Sequence, residues 1–512
     1  MELCCEKRYV LLPASWNAKP KRLYFSDGDR PVLDLAVSLD TDEPDFLFPV
    51  DIARFRGKRL RLLCQPEVEF LPEQTDDPPL DYAGKYRPQA HFTARRGWIN
   101  DPNGLVWYAG KYRMYYQHNP AATTWENMHW GAAESEDLIH WRELGDVLFP
   151  EEYGTVFSGS GVVDSRNVSG LKEGPEDPLL FFYTAAGGTS EMSRGRPFTQ
   201  RLAYSTDGGK TLKQWAGNPV LHELAPGNRD PKVVYYPPED CYILALYLQD
   251  HDFALFRSRD LLHWRELQRL TLPTDWECPD FYPLTGDGET RWVFSAASDR
   301  YLLGTFDGDR FTPEGGERLL NYGDVSYAAQ SWYCDPKGRR VRTAFIKQVI
   351  PGMPFGCCMD LPQVMTLKRV NGTLSLCAWP AEELERLYRS RVSRTDLPLP
   401  AAFPVRSKAC DLELEFAADA PVSLSLFGLE LAYRPGEGLI AGERTAPVRG
   451  EGGLVKLRLL FDTLSAEVFA DSGSVFLGLS CIQDRSLDTL RLTGPGTVRH
   501  LELRELGAFW EE

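Results

Sequence analysis

The decapeptide SEDLIHWREL at residues 135–144 returns as SRDLLHWREL at 258–267, identical at eight of ten positions. A looser version, STDGGKTLKQW, lies between them at 205–215. Each copy follows a short β-rich run (HWGAAE, LAYS or FALFR) and leads into a tryptophan, Trp141, Trp215 or Trp264. Three unrelated hairpins would not share so many side chains, so the copies read as one strand–turn–Trp unit used repeatedly. Units of this kind build β-propellers, in which each blade buries its faces against its neighbours. The tryptophan spacing allots about 60 residues to a blade, and residues 86–380 then hold about five blades.

The rest of the chain agrees with an all-β fold. A helical period is nearly absent, and runs such as KYRMYYQ, LLFFYTA, YILALYL and RWVFSAA are separated by Gly, Asp and Pro clusters. Residues 1–80 carry alternating strands (KRLYFSD, LDLAVSL, RLRLLCQ), which predict a small amino-terminal β-domain followed by the polar linker LPEQTDDPPLDYAGKYRP. Residues 381–512 open with the one helical pattern, AEELERLYRS, and continue in period-2 strands such as CDLELEFAA and LVKLRLLFD. That alternation predicts a β-sandwich. Neither flank clusters candidate catalytic residues, so the chemistry is expected within 86–380.

Composition narrows the ligand. The formal charge of −16 argues against a nucleic-acid or anionic-membrane partner. An acidic chain with 13 Trp, 22 Tyr and 26 Phe suits a neutral polar ligand such as a sugar, where rings stack and carboxylates accept from hydroxyls. The amino terminus MELCCEKRYVLLPASW lacks the apolar core of a signal peptide, and no run of about 18 apolar residues offers a membrane span. The eleven cysteines, two pairs of them adjacent (Cys4–Cys5 and Cys357–Cys358), fit neither a metal spacing nor a disulfide framework. Reduced thiols and a cytoplasmic location are expected. His118, His129 and His140 recur at intervals of 11 and read as packing or polar-network residues, not as metal ligands. No metal and no organic cofactor is expected, and nothing in the sequence specifies an oligomeric state.

Three stretches place a carboxylate in an aromatic or proline-bent setting: WINDPNG (Asp101), GNRDPKV (Asp230) and WECPDFYPL (Glu277). Asp-Pro alone is uninformative, since Asp77, Asp177 and Asp335 also precede proline in ordinary loops. The three acids fall in different predicted blades, and blades converge on a central channel. Glycoside cleavage uses such a set, with one carboxylate as nucleophile and another as proton donor. A third, ionised beside an arginine, would hold sugar hydroxyls. Trp276, Cys278, Phe281 and Tyr282 around Glu277 predict an apolar setting able to exclude water, which suits a proton donor.

The segment HFTARRGWINDPNGLVWYAGKYRMYYQHNP resembles the signature of glycoside hydrolase family 32, the β-fructosidases. The likeness continues through HWGAAESEDLIHW, FSGSGVV, RDPKV, ECPDFYPL and YAAQSW, and VKLRLLFDTLSAEVFADSGSVFLG is similar to that family's accessory β-sandwich. GNRDPKV, PGMPF and the amino-terminal DFLFPVDIARFRGKRLRLL look closest to the levanase or fructan β-fructosidase branch. The resemblance implies that Asp101 is the nucleophile, Asp230 the transition-state stabiliser and Glu277 the general acid/base. It implies that Asn100, Gln117, Trp125, Phe157, Ser158 and Arg229 bind sugar, and that Tyr327 and Trp332 line the pocket. Trp125 would be exposed as the apolar wall of a sugar site and buried as a core residue. WGAA at 130–133 in place of the commoner WGHA, LPQVMTL in place of LPREL, and the absence of an aromatic in IKQVI leave the leaving-group side undefined.

The implied activity is a retaining exo-β-fructosidase that releases fructose from levan, inulin, fructo-oligosaccharides or sucrose. Rival readings are an invertase-type hydrolase of sucrose or sucrose phosphate, a fructosyltransferase and an inverting propeller arabinosidase or xylosidase. Inverting acid pairs stand about 6.5–9.5 Å apart and retaining pairs about 5–5.5 Å. A non-catalytic sugar-binding propeller would typically have lost one of the three acids, and all three are present.

Overall fold

A computed structural model describes residues 1–68, 70 and 72–510. The repeat marks one recurring turn. Ser135, Ser205 and Ser258 each end the third strand of a run of four consecutive antiparallel strands and hydrogen-bond Asp137, Asp207 and Asp260 two residues on. Each aspartate then accepts from backbone N–H groups ahead of it, at 2.9–3.1 Å, and so shapes the turn into the fourth strand. Leu138 and Leu261 occupy the same step of this turn with φ of 69° and 65°, and both are fully buried. The glycine-bearing copy has Gly208 there at φ 74°, which explains why the middle copy looks looser in sequence. Asp307, capping the turn before Phe311–Pro313, is a fourth version that sequence identity does not reveal.

The sheets follow one another along the chain as Gly97–Leu148, Thr155–Gln214, Arg229–Thr271 and Asp280–Pro313, with Ser326–Pro380 forming the last. The first strand of each (Gly97–Tyr108, Thr155–Val163, Arg229–Tyr236, Asp280–Gly286, Ser326–Ser331) contacts the first strand of the next, and the last contacts the first again. The ring closes through Phe355–Met359, which pairs in parallel with Gly97 and Trp98, and through Tyr333, whose backbone bonds Leu105 and Trp107. Large aromatic side chains, Phe181, Phe182, Phe253, Phe256, Phe281 and Phe294 among them, are fully buried in and between these sheets.

Before this ring, Glu2–Thr75 form a four-stranded and a three-stranded sheet around Leu23, Phe25, Leu35, Phe48 and Val50. After it, Tyr388–Leu506 form two six-stranded sheets enclosing one apolar core. The helix expected over AEELERLYRS reduces to a 3-10 segment, Glu382–Leu387, and Tyr388 already begins an eleven-residue strand. No side chain caps the segment at Ala381, and Tyr388–Pro398 finds a full-length strand partner in Thr497–Leu506. A strand ladder therefore outcompetes a helix only a turn or two long.

His91 pins the ring to the carboxyl-terminal sheets. Its Nδ1 lies 2.8 Å from Asp462 and its Nε2 2.9 Å from Glu467, and all three side chains are essentially sealed from solvent. Asp462 also accepts the backbone N–H groups of Gln89 and Ala90. These two carboxylates outweigh burial and push the imidazole up to about 10. A raised histidine contributes stability that is complete below its ordinary value near 6.5 and fades as pH rises through 10. His91→Gln is expected to lower the thermal midpoint by the equivalent of about 3 kcal/mol at pH 6. The gap to the parent protein should close between pH 7 and 10.5, and a gap constant with pH would show that His91 acts by packing alone.

Candidate active site

One backbone device recurs at the mouth of the ring. In four of the first strands the register slips so that two residues face one across the ladder. Asn100 and Asp101 face Gln117, Phe157 and Ser158 face Thr184, Asp230 and Pro231 face Leu246, and Ala328 and Ala329 face Ala344. Such β-bulges turn a side chain out of the sheet plane and towards the axis. The remaining strand uses strain of another kind: Glu277 and Cys278, just before Asp280–Gly286, have φ of 43° and 46°, and Asp230 in its bulge has φ 66°. Non-glycine residues in this region hold only where the surroundings fix them.

The outcome is that acids from three sheets meet. Single oxygens of Asp101 and Asp230 and the Cys278 sulfur all lie within 4.8 Å of one another. Asp101 accepts from Asn100 Nδ2 at 2.9 Å, from Ser158 Oγ at 2.5 Å and from the Cys278 thiol at 3.3 Å. Asp230 accepts from the Cys278 backbone N–H at 3.0 Å and its thiol at 3.4 Å, and its own N–H donates to Thr184. Arg229 donates twice to Glu277, at 2.7 and 3.1 Å, with its Nε 3.8 Å from Asp230 and its guanidinium over Tyr247. Tyr327 Oη donates to the other oxygen of Glu277 at 2.7 Å.

Burial and mutual repulsion dominate the electrostatics. Burial pushes Asp101 above the usual carboxylate range, reinforced by Glu277 and opposed by Ser158 and Asn100. Asp230 is pushed up to about 7, by burial first and then by Glu277 and Asp101, against the pull of Arg229. Burial likewise drives the Cys278 thiol well above its ordinary value. Asp101, Asp230 and Cys278 form the one set of three such ligands close enough for an ion among the described residues. A thiol that resists ionisation is a poor metal ligand, and here it donates to both carboxylates instead.

The sequence-predicted sugar residues divide. Asn100, Ser158, Arg229 and Tyr327 each touch a carboxylate directly. Gln117 is buried beside Asn100 and Asp101, with no partner for its Nε2 among the described residues. Trp125 is 51% exposed and packs edge-on against Phe157, which meets Phe198 in the same way, so the three rings form a wall beside Ser158. Trp332 does not reach the site. It is 1% exposed, donates to the Arg113 carbonyl and stacks on Trp141 between sheets, one residue past the end of its strand. The apolar shell expected around Glu277 is also absent: Phe281 packs with Trp292 and Phe306, Trp276 is 42% exposed, and the carboxylate meets Arg229 and Tyr327.

Sequence reasoning took Cys278 only as an apolar neighbour of Glu277, and missed Thr184, Phe198 and the pair Lys232–Asp280. That pair lies buried below the acids, 3.4 Å apart, with Lys232 also donating to the Ser331 carbonyl and Asp280 accepting from the Ser331 N–H. Its signal was present, since Lys232 stands two residues after Asp230 and Asp280 three after Glu277. The histidines at 118, 129 and 140 have separate partners, Asp146, the Asn127 carbonyl and Asp137.

Residues 91–380 match the glycosyl hydrolases family 32 N-terminal domain. The chain belongs to glycosyl hydrolase family 32. Similar family 32 relatives include the levanase of Bacillus subtilis (strain 168), 31% identical over 497 residues spanning 84% of this chain and 72% of that protein. The invertase of Schizosaccharomyces pombe is 34% identical over 278 residues, 49% of this chain and 47% of its own. The crystal structure of exo-inulinase from Aspergillus awamori superposes with a TM-score of 0.76 at 24% identity, covering 84% of this chain and all of that one. The ring of sheets is accordingly a β-propeller.

In this family 32 site the elevated Asp230 has a measurable consequence. An aspartate whose folded value is raised costs the fold nothing at low pH, where both states are protonated, and destabilises it increasingly as pH rises from about 4 through 7. Asp230→Asn, which keeps an acceptor for Cys278, should leave the thermal midpoint nearly unchanged at pH 4. By pH 8 it should raise the midpoint by several degrees, because each tenfold change in a group's proton affinity on folding is worth about 1.4 kcal/mol. A variant no more stable than the parent at pH 8 would show that Arg229 fully neutralises Asp230.

Proposed function

We propose that this protein is a retaining exo-β-fructosidase that hydrolyses terminal β-fructofuranosyl units of fructans or sucrose. The observation that carries the reading is the convergence of three acids: Asp101 and Asp230 meet at Cys278, Arg229 links Asp230 to Glu277, Tyr327 binds Glu277, and Ser158 and Asn100 bind Asp101. We read the ring as five blades, one per first strand, and the paired six-stranded sheets as a β-sandwich. The names levanase, invertase and exo-inulinase among the relatives support fructose polymers and sucrose as substrates.

In this mechanism Asp101 attacks the anomeric carbon as the bond to the leaving oxygen breaks, and Glu277 gives that oxygen its proton. The ionised Glu277 then takes a proton from water, which displaces Asp101 and releases fructose. Burial makes Asp101 a stronger base, while Ser158 and Asn100 favour its charged form. Asp230 and Arg229 would hold sugar hydroxyls and balance the charge of the oxocarbenium-like transition state. Tyr327 and Arg229 orient Glu277, so its donor role rests on positioned polar partners and not on an apolar shell.

Asp101→Asn is nearly isosteric and should fold normally while turnover falls about 10⁴-fold or more. Retention of a tenth of the parental rate would exclude the covalent role. For Glu277→Ala, sucrose and inulin should slow far more than an aryl β-fructoside whose leaving group departs without a proton, and azide should partly restore turnover. Equal losses on both, with no azide response, would make Glu277 a binding residue. Fructose should be the main early product on levan; oligomers accumulating first would overturn the exo assignment.

A further inference from the structure

We propose that the amino-terminal β-domain positions the aromatic wall of the sugar site, by holding both loops that carry it on one strand. This rests on the reading of the site as a β-fructoside site. Strand Arg30–Val37 is the open edge of its sheet, where backbone groups lack a strand partner. The Asn127 carboxamide fills that role: the Ala36 N–H donates to Asn127 Oδ1 and Asn127 Nδ2 donates to the Ala36 carbonyl, both at 2.8 Å. Asn127 sits at φ 52° and also donates to Asn119, whose amide in turn donates to the Thr124 carbonyl. Ala121, at the other end of this loop, is wholly buried in the amino-terminal core, and Arg22 pairs with Glu126. Trp125 thus stands between two anchored neighbours although it is itself half exposed.

Two residues earlier on the same edge strand, buried Asp34 accepts the Glu191 N–H at 2.7 Å. Glu191 opens the short 3-10 segment Glu191–Ser193, in the loop that leads to Phe198. Trp125 and Phe198 flank Phe157 at centroid distances of 5.8 and 5.7 Å, and Phe157 precedes the serine that bonds Asp101. One strand outside the propeller therefore fixes both outer rings of the wall. An exposed ring pre-set in its bound position loses less freedom on binding, so the domain should act through substrate affinity and not through the chemical step.

The test uses the full chain with Arg22→Ala and Asp34→Ala combined, neither residue being part of the catalytic or binding machinery. Hydrogen exchange should quicken in residues 120–128 and 187–198 with the rest of the propeller unchanged. KM for sucrose and levan should rise about fivefold with kcat nearly constant. Partial unfolding would instead lower kcat at constant KM. Asp34→Asn with Arg22 left in place, which keeps an acceptor for Glu191, should bring both readouts back towards the parent. Unchanged exchange in both loops overturns the clamp, and faster exchange with unchanged KM overturns the positioning role. A parent protein inert towards every β-fructoside would instead remove the reading of the site, with exchange still deciding whether the clamp exists.

Discussion

Three carboxylates meet in one channel, where burial first and mutual repulsion second disfavour charge on Asp101 and Asp230, and the surrounding structure answers both. Asp101 is held by a hydroxyl, an amide and a thiol, each donating to it, while Arg229 lies between Asp230 and Glu277. The compensation is incomplete, since Asp101 and Asp230 remain above the ordinary carboxylate range. In the mechanism proposed above, stability is given up locally so that charge is already arranged where a positive transition state forms. The backbone bears part of the same load. Positive φ at Asp230, Glu277 and Cys278 survives only because bulges, neighbouring strands and the Asp230–Cys278 hydrogen bond fix those residues.

A propeller suits this arrangement because each sheet is anchored elsewhere. Its outer strands and phenylalanine-rich interfaces hold it in place, while the bulges at Asn100–Asp101, Phe157–Ser158 and Asp230–Pro231 interrupt the innermost ladders where the site residues stand. The closing strand Phe355–Met359 removes the open edge that a partial ring would leave. His91 with Asp462 and Glu467 ties this ring to the carboxyl-terminal sheets just before the Asp101 strand begins. The carboxyl-terminal sheets thus brace the stretch of chain that leads into the Asp101 strand.

The fold class and the propeller were legible because a Ser-x-Asp turn followed by Trp is a local signal that recurs in sequence as it does in space. The acids were legible through the residues around them and their family resemblance. What sequence could not show is which side of a strand a bulge exposes. Trp332 falls one residue beyond its strand and turns into the sheet interface, and Phe281 points into its own sheet while Glu277 points to the channel. The helix in AEELERLYRS failed for a related reason, since a partner strand a hundred residues away decided it. Thr184 and Phe198 belong to no acid motif and come to the site only through pairing and loop closure.

Lys232 and Asp280 explain why the acid motifs extend beyond their acids. A buried ion pair contributes little net stability, because desolvation offsets most of the attraction, yet removing one partner is costly. Its value here is geometric. Lys232 and Asp280 follow Asp230 and Glu277 closely enough that their 3.4 Å contact fixes the register between two inner strands, and Ser331 receives one bond from Lys232 and gives one to Asp280, adding the strand of Tyr327. Three strands that carry Asp230, Glu277 and Tyr327 are thereby locked one layer below the site. Apolar side chains of the same volume could fill that space, but they would slide; directional charge–charge and hydrogen bonds do not. On the proposed mechanism the second layer of the channel is polar because the first layer must be placed to within a fraction of an ångström for attack and proton transfer to coincide.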